Sequence, residues 1–339
     1  MKKRVCLTGI GGVIGSNVME HILTKTDWDI VGIASWKHKG LPERITDSLH
    51  YQANRDRVDL VTHDLISPIN ELTRQRIGDI DYIINVASES HVDRSITDPV
   101  SFTLNNTNLI LNMLEYARIV KPRLFMQIST DEVYGVAPVG TLHKEWSSTI
   151  PSNPYAGSKA AQEAIAVSYW RTYGVPVIIT NTMNNFSERQ DKEKYIPMVI
   201  NRVLKDETIT IHSYPDKKTP GSRFYLHARN HADALIFLIN HFDGKSVGFN
   251  DGLDKPHRFN VVGEREVDNL TLAHMIADVL ERELKYELVD FHSSRPGHDC
   301  RYGLDGSKLK ELGWVPPMPF EKSLRTTVLW TVAHPEWLS

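Results

Sequence analysis

At 339 residues the chain is long for one average domain and suits two. Hydrophobic residues make up 41% and charged residues 24%, a globular composition that excludes a disordered chain. The balance of 39 Lys plus Arg against 42 Asp plus Glu argues against a general nucleic-acid-binding surface. Two cysteines, Cys6 and Cys300, supply neither a disulfide framework nor a thiolate metal cluster. No apolar run approaches the ~20 residues that span a bilayer. Met1-Lys2-Lys3-Arg4-Val5 enters a strand-like segment too soon for a signal peptide. A cytoplasmic protein with no metal, membrane or nucleic-acid partner is expected.

In chain order, short apolar runs at Val5–Thr8, Ile30–Ala34, Tyr82–Val86, Phe125–Ser129 and Val177–Thr180 read as buried parallel strands. A further run ends at His63-Asp64-Leu65. Between them, Asn17–Thr24, Val100–Ile119 and Ala160–Tyr173 carry helical spacing. This alternation predicts an α/β fold with a parallel sheet. Beyond Thr180 the pattern loosens, with a helix at Leu270–Arg282 and a strand near Tyr286–Val289. That half reads as a smaller, mixed α/β domain.

The first strand runs into Thr8-Gly9-Ile10-Gly11-Gly12-Val13-Ile14-Gly15. A strand-to-helix turn that meets a pyrophosphate needs bare backbone N–H groups, and a side chain there obstructs the approach. Gly9, Gly12, Val13, Ile14 and Gly15 are therefore candidate dinucleotide contacts. The second strand ends Ala34-Ser35-Trp36-Lys37-His38-Lys39, without the acid that binds a ribose 2′-hydroxyl in NAD sites. Ser35 suits either that hydroxyl or a 2′-phosphate, and Lys37 with its basic neighbours favours the phosphate. NAD and NADP both stay open at this point. Asp64, followed by Leu65, suits the adenine edge.

Tyr155-Ala156-Gly157-Ser158-Lys159 opens a helix and sets a phenol and an ammonium four residues apart on one face. A cation near a tyrosine lowers its pKa, so a phenolate base is expected. The fifth strand ends Ser129-Thr130-Asp131-Glu132, placing a hydroxyl and two carboxyls where α/β active sites form.

These motifs, with Glu89-Ser90-His91-Val92-Asp93-Arg94, Asn184-Asn185, Arg295-Pro296-Gly297-His298-Asp299 and Arg301-Tyr302, cover nearly the whole chain. Together they resemble the nucleotide-sugar 4,6-dehydratases of the extended short-chain dehydrogenase/reductase superfamily, the dTDP-glucose branch most nearly. The resemblance implies a Rossmann-type doubly wound parallel sheet at 1–182, with a returning segment at about 224–262. A substrate domain of 183–223 and 263–335 follows from it. It also implies NAD, with NADP as the alternative, and a nucleoside-diphosphate hexose as substrate. In that scheme Tyr155 with Lys159 takes the 4-hydroxyl proton, with Thr130 beside it. Glu132 removes the C5 proton and Asp131 protonates the leaving 6-hydroxyl. Ala87 would meet the cofactor. Ser90, Asn185, Glu193 and His231 would face the substrate, and Arg223, Arg295 and His298 would hold its diphosphate and nucleoside.

Three departures stand out. Asn184-Asn185-Phe186-Ser187-Glu188 replaces the usual Asn-Asn-Tyr-Gly-Pro, Arg229 and Asn230 replace acids, and Ala34 replaces the ribose-binding acid. A 4-epimerase or decarboxylase on the same fold would not require both Asp131 and Glu132. A non-catalytic dinucleotide-binding regulator would not require Thr130, Tyr155 and Lys159. The resemblance further implies a homodimer formed by the two long helices, whose Leu104, Leu111, Met113, Leu114, Ile165, Val167 and Trp170 exceed one sheet-facing stripe.

Overall fold

The computed structural model describes residues 2–37, 39–245, 247–290 and 299–339. His38, Arg295 and His298, named above as candidates, lie outside the described residues.

Six strands follow one another through the first half: β1 (Arg4–Thr8), β2 (Asp29–Ala34), β3 (Val58–Thr62), β4 (Tyr82–Asn85), β5 (Leu124–Thr130) and β6 (Val177–Thr182). A seventh, His257–Val261, pairs in parallel with β6. The order across the sheet is His257–Val261, β6, β5, β4, β1, β2, β3, and every pairing is parallel. This is a Rossmann-type doubly wound sheet. Its strand order reverses between β1 and β4, so the crevice beyond their C-terminal ends is the place for a ligand.

Alternation along each strand explains the burial of both faces. Leu7, Ile30, Ile84 and Met126 meet Val18, Ile22, Leu235 and Leu238 on one face, from helices Val13–Lys25 and Ala228–Phe242. Cys6, Val31, Ile83 and Phe125 meet Ile110, Met113, Leu114 and Trp170 on the other, from helices Pro99–Val120 and Pro154–Tyr173. Met113, Leu114 and Trp170 are thus core residues with no exposed surface, and they offer nothing to a partner. Of the apolar excess, Leu104 is exposed and Leu111, Ile165 and Val167 are half-buried.

The first helix starts at Val13, directly on the glycine turn, four residues before its apolar periodicity begins. Helix Pro154–Tyr173 starts just ahead of Tyr155 because Asn153 caps it, accepting from the Ala156 N–H at 2.8 Å, with Pro154 in the first turn.

A separate core joins helices Tyr195–Leu204, Asn269–Val279 and Phe320–Ala333 through residues such as Ile200, Ile276 and Leu324. Strand Ile209–Ser213 pairs in parallel with Tyr286–Asp290 at its side. Among the described residues no helix is long and apolar enough to cross a membrane, and no cluster of acids, histidines and cysteines suits a metal.

Candidate active site

A cleft of about 480 Å³ opens at the C-terminal ends of the strands, between the sheet and the Asn184–Lys194 segment. Gly9, Gly12, Val13, Ile14, Ser35, Lys37, Asp64, Leu65, Ala87 and Ser90 line it, as do Thr130, Asp131, Glu132, Tyr155, Lys159, Asn185 and Glu193. Residues that are far apart in sequence thus share one cavity.

Gly9 has φ 68°, and a Cβ there would lie 2.9 Å from the Ala87 backbone. Gly12 caps helix Val13–Lys25 without any side-chain cap, so the first-turn N–H groups stay open to an anion. This turn fits a dinucleotide diphosphate. Gly15 does not line the cleft. A Cβ at Gly15 would sit 2.1 Å from the Gly9 carbonyl oxygen, so this glycine lets the helix pack on the turn.

At the far end of the turn, Lys37 pairs with Asp64. Burial opposes ionisation of Asp64, yet the Lys37 ammonium and the Ile66 N–H hold its carboxyl below the usual range. Trp36 also lines the cleft, in a left-handed conformation with φ 56°.

The acid pair sits on a short 3-10 turn, Asp131–Tyr134, at the end of β5. Asp131 is 4% exposed; burial first, and then the neighbouring Glu132, push its carboxyl up to about 7. Its Oδ1 accepts from the Thr130 hydroxyl at 2.9 Å, and its Oδ2 has no hydrogen-bond partner among the described residues. Burial raises Glu132 as well, against the Asn153 amide, which donates to Oε2 at 3.1 Å. The Tyr302 hydroxyl donates to the same oxygen at 3.3 Å. Both carboxyls are thus shifted toward their protonated forms. They differ in surroundings: Asp131 Oδ2 is unpartnered among the described residues while Glu132 Oε2 is held by two donors, an asymmetry that suits an acid–base elimination.

The Tyr155–Lys159 pair differs from expectation. Burial, and then the charge of Glu132, push the Tyr155 phenol up rather than down. The Lys159 ammonium is committed elsewhere, donating to the Ile128 carbonyl at 2.8 Å and to Gln162 Oε1 at 2.7 Å. Burial lowers Lys159 to about 8, against the attraction of Glu163.

Two expected substrate contacts do not reach the cleft. His231 has no exposed surface and stands behind Asn185, donating from Nδ1 to Asn185 Oδ1 at 3.1 Å. Burial drops its pKa to about 3, so it is a neutral prop for that amide. Arg223 spends its guanidinium on the carbonyls of Ser222, Cys300 and Asp299 and lies over the Tyr302 ring. Its charge nonetheless favours ionisation of both Asp131 and Glu132. Glu193 is at the cleft mouth, 3.1 Å from Lys39 and 3.3 Å from His91.

Asn153, Gln162, Lys194 and Tyr302 were not singled out as site residues by the sequence reading. The pair Asn153-Pro154 is a helix-start signal directly before Tyr155, and Gln162 lies two turns beyond it on the same face. Lys194 lines the cleft from the cap of helix Tyr195–Leu204 and nothing local marks it, whereas Tyr302 stood in the Arg301-Tyr302 motif without a role.

The GDP-mannose 4,6 dehydratase family model matches residues 6–327. A dTDP-glucose 4,6-dehydratase of Salmonella typhimurium is 33% identical over 99% of this chain and 94% of its own length. An Escherichia coli protein of the same description is 32% identical, with the same coverage. Among solved structures, the Bacillus anthracis dTDP-glucose 4,6-dehydratase in complex with NAD superposes with a TM-score of 0.82. It is 26% identical and covers 99% of this chain and 98% of its own. A Streptomyces venezuelae dTDP-glucose 4,6-dehydratase, also with NAD, gives 0.82 at 28% identity, with 98% of each chain covered. With a match from the first strand to the last helix, this chain belongs to the GDP-mannose 4,6 dehydratase family.

Proposed function

We propose that this protein is an NAD-dependent nucleotide-sugar 4,6-dehydratase of the dTDP-glucose type. It converts a nucleoside-diphosphate hexose to its 4-keto-6-deoxy form. The observation that carries the reading is the adjacent buried pair Asp131 and Glu132, in the same cleft as Tyr155 and the dinucleotide turn.

NAD, held by the glycine turn, would supply hydride acceptance at sugar C4 and, once reduced, hydride return at C6. Tyr155, a buried phenol with the Thr130 hydroxyl beside it and Lys159 one turn further along its helix, accepts the 4-hydroxyl proton. The 4-ketone on the sugar acidifies C5. Glu132 removes the C5 proton and gives it back to C5 when hydride reaches C6, and Asp131 Oδ2 gives its proton to the departing 6-hydroxyl, releasing water. The open first-turn N–H groups after Gly12 hold the cofactor diphosphate, and Ala87 closes against the turn. Asn185, braced by His231, and Glu193 and Ser90 face the hexose. Arg223 tunes the acid pair from behind.

The same reading gives a dinucleotide unit of 1–182 plus about 224–262, and a substrate unit of 183–223 plus 263–335. It also makes the protein a cytoplasmic homodimer through helices Pro99–Val120 and Pro154–Tyr173, with exposed Leu104 at the seam. Light scattering that gave a monomer mass would remove the dimer and leave the chemistry standing.

The test of function is incubation of the purified chain with dTDP-glucose. A product lighter by one water and carrying a ketone supports dehydration. Unchanged sugar, or an isomer of unchanged mass, would falsify it, the isomer pointing to an epimerase.

A further inference from the structure

We infer that Arg44 is a positioning residue for the cleft: its buried guanidinium ties the segment 184–194, which forms one wall, to the glycine turn that forms another. The inference rests on the nucleotide-sugar reading of the cleft and adds to it a residue that does not line the cleft itself.

Arg44 has no exposed surface, although it is a cation on a helix of only four residues, Glu43–Thr46. Each edge of its guanidinium meets a different stretch of chain. Nε donates to the Arg189 carbonyl at 2.9 Å, and Nη1 donates to the Gly11 carbonyl at 3.1 Å and to the Lys39 carbonyl. Nη2 faces Asp191 Oδ1 at 3.0 Å, and the Trp337 ring covers the group, its centroid 5.7 Å from Cζ. Burial works against the charge and the Asp191 carboxylate works for it. A charge held out of water is costly unless its partners are fixed, and a planar fork fixes several acceptors at once.

What Arg44 joins are two walls that different ligands would touch. Gly11 lies inside the glycine turn and lines the cleft, and its carbonyl also accepts from the Leu41 N–H at 3.0 Å. From the opposite wall, Gln190, Asp191, Glu193 and Lys194 reach the same cavity. At the mouth the exposed Lys39 ammonium lies 3.8 Å from Asp191 and 3.1 Å from Glu193, contacts that water screens. The Arg44 tie is out of water and is not screened in this way. With the tie in place, the segment is ordered when the chain folds, before any ligand arrives. Without it, the first ligand to bind has to order the segment, and the second then binds a wall already set.

The experiment is calorimetric titration of the purified full chain, freed of nucleotide, with NADH and with dTDP, each alone and with the other saturating. In wild type, each dissociation constant is expected to change by less than about threefold when the other ligand is present. Arg44→Met should weaken both ligands by about tenfold when alone, and each should restore the other by about the same factor in both directions. Arg44→Lys, which keeps a cation beside Asp191 and serves if Arg44→Met does not fold, should show the same mutual restoration at about threefold. Affinities that neither variant moves overturn the inference. So does weakening of one ligand only, or weakening of both without mutual restoration, which is what a merely structural role would give. Wild-type coupling as large as that of the variants overturns it too, because the segment would then not be pinned. Wild type that bound neither NADH nor dTDP would overturn the nucleotide-sugar reading and the inference with it, whereas the other outcomes overturn the inference alone.

Discussion

The Lys159 ammonium donates to the side-chain carbonyl of Gln162 at 2.7 Å, one turn further along the same helix. That carbonyl also accepts from Gln127 Nε2 at 3.1 Å, Gln127 Oε1 accepts from Asn85 at 2.8 Å, and Asn85 Oδ1 accepts from the Thr8 hydroxyl at 2.7 Å. A buried amide ladder therefore crosses the sheet from the glycine turn to Lys159. Gln162 favours the charged form of Lys159, whose pKa burial has already lowered to about 8. Gln162→Leu removes that acceptor and lowers it further. The alkaline limb of kcat/KM should move to lower pH, and Gln162→Glu should move it back up. Profiles that coincide with wild type would deny Gln162 this positioning role.

Asp131→Asn keeps the shape of the acid and removes its proton. Water loss should slow by about 10²–10⁴-fold while oxidation at C4 and proton removal at C5 continue. In deuterated water the recovered hexose should then carry deuterium at C5. Recovery of unlabelled hexose, or wild-type turnover, would contradict the split of roles between Asp131 and Glu132.

Tyr155→Phe should lower product formation by about 10²–10⁴-fold and abolish the C5 exchange too, because no ketone forms to acidify C5. Exchange that survived in this variant would place the base for the 4-hydroxyl elsewhere.

The raised carboxyl of Asp131 also sets a pH limit. Its proton is available below about 7 and is lost above it, so the elimination rate should fall as pH rises through that value. Stability follows the same direction. The folded state holds a proton that the unfolded chain, with its ordinary carboxyl near 3.8, has released. Stability from this group is therefore lost as pH rises from about 4 to about 7. Asp131→Asn should flatten that part of a urea-midpoint profile, and an unflattened profile would assign the slope to other groups.

Gly15→Ala puts a methyl 2.1 Å from the Gly9 carbonyl oxygen, a clash with backbone that no side-chain rotation relieves. A loss of about 1–3 kcal/mol is expected in chemical denaturation, with weaker dinucleotide binding because Gly9 must shift. Unchanged stability would mean that the helix start can slide.

Much of the sheet was legible because its strands are short apolar runs with no competing helical period, as at Tyr82–Asn85. The starts of two helices were less so. Val13 and Pro154 belong to a turn and a cap, and their signals are single residues such as Gly12 and Asn153 rather than a repeating stripe. In the site, spacing placed Tyr155 and Lys159 on one face but said nothing of where the ammonium points. That direction is decided by Ile128 and Gln162, which the fold brings from a strand and from the next helical turn. His231 and Arg223 are comparable cases. Their residue types suit a sugar and a phosphate, yet one is sealed behind Asn185 and the other is consumed by three backbone carbonyls.

The strand His257–Val261 and the helix Ala228–Phe242 complete a sheet whose other members end at Thr182. During synthesis, the first 182 residues would emerge with the β6 edge unpaired and the apolar side of Val13–Lys25 uncovered. That nascent half has to wait for roughly eighty more residues before its own edge is sealed. A ribosome stalled in that interval would display a sticky intermediate. A cut between Thr182 and Ala228 would part the β6 edge from its strand and the first helix from its cover.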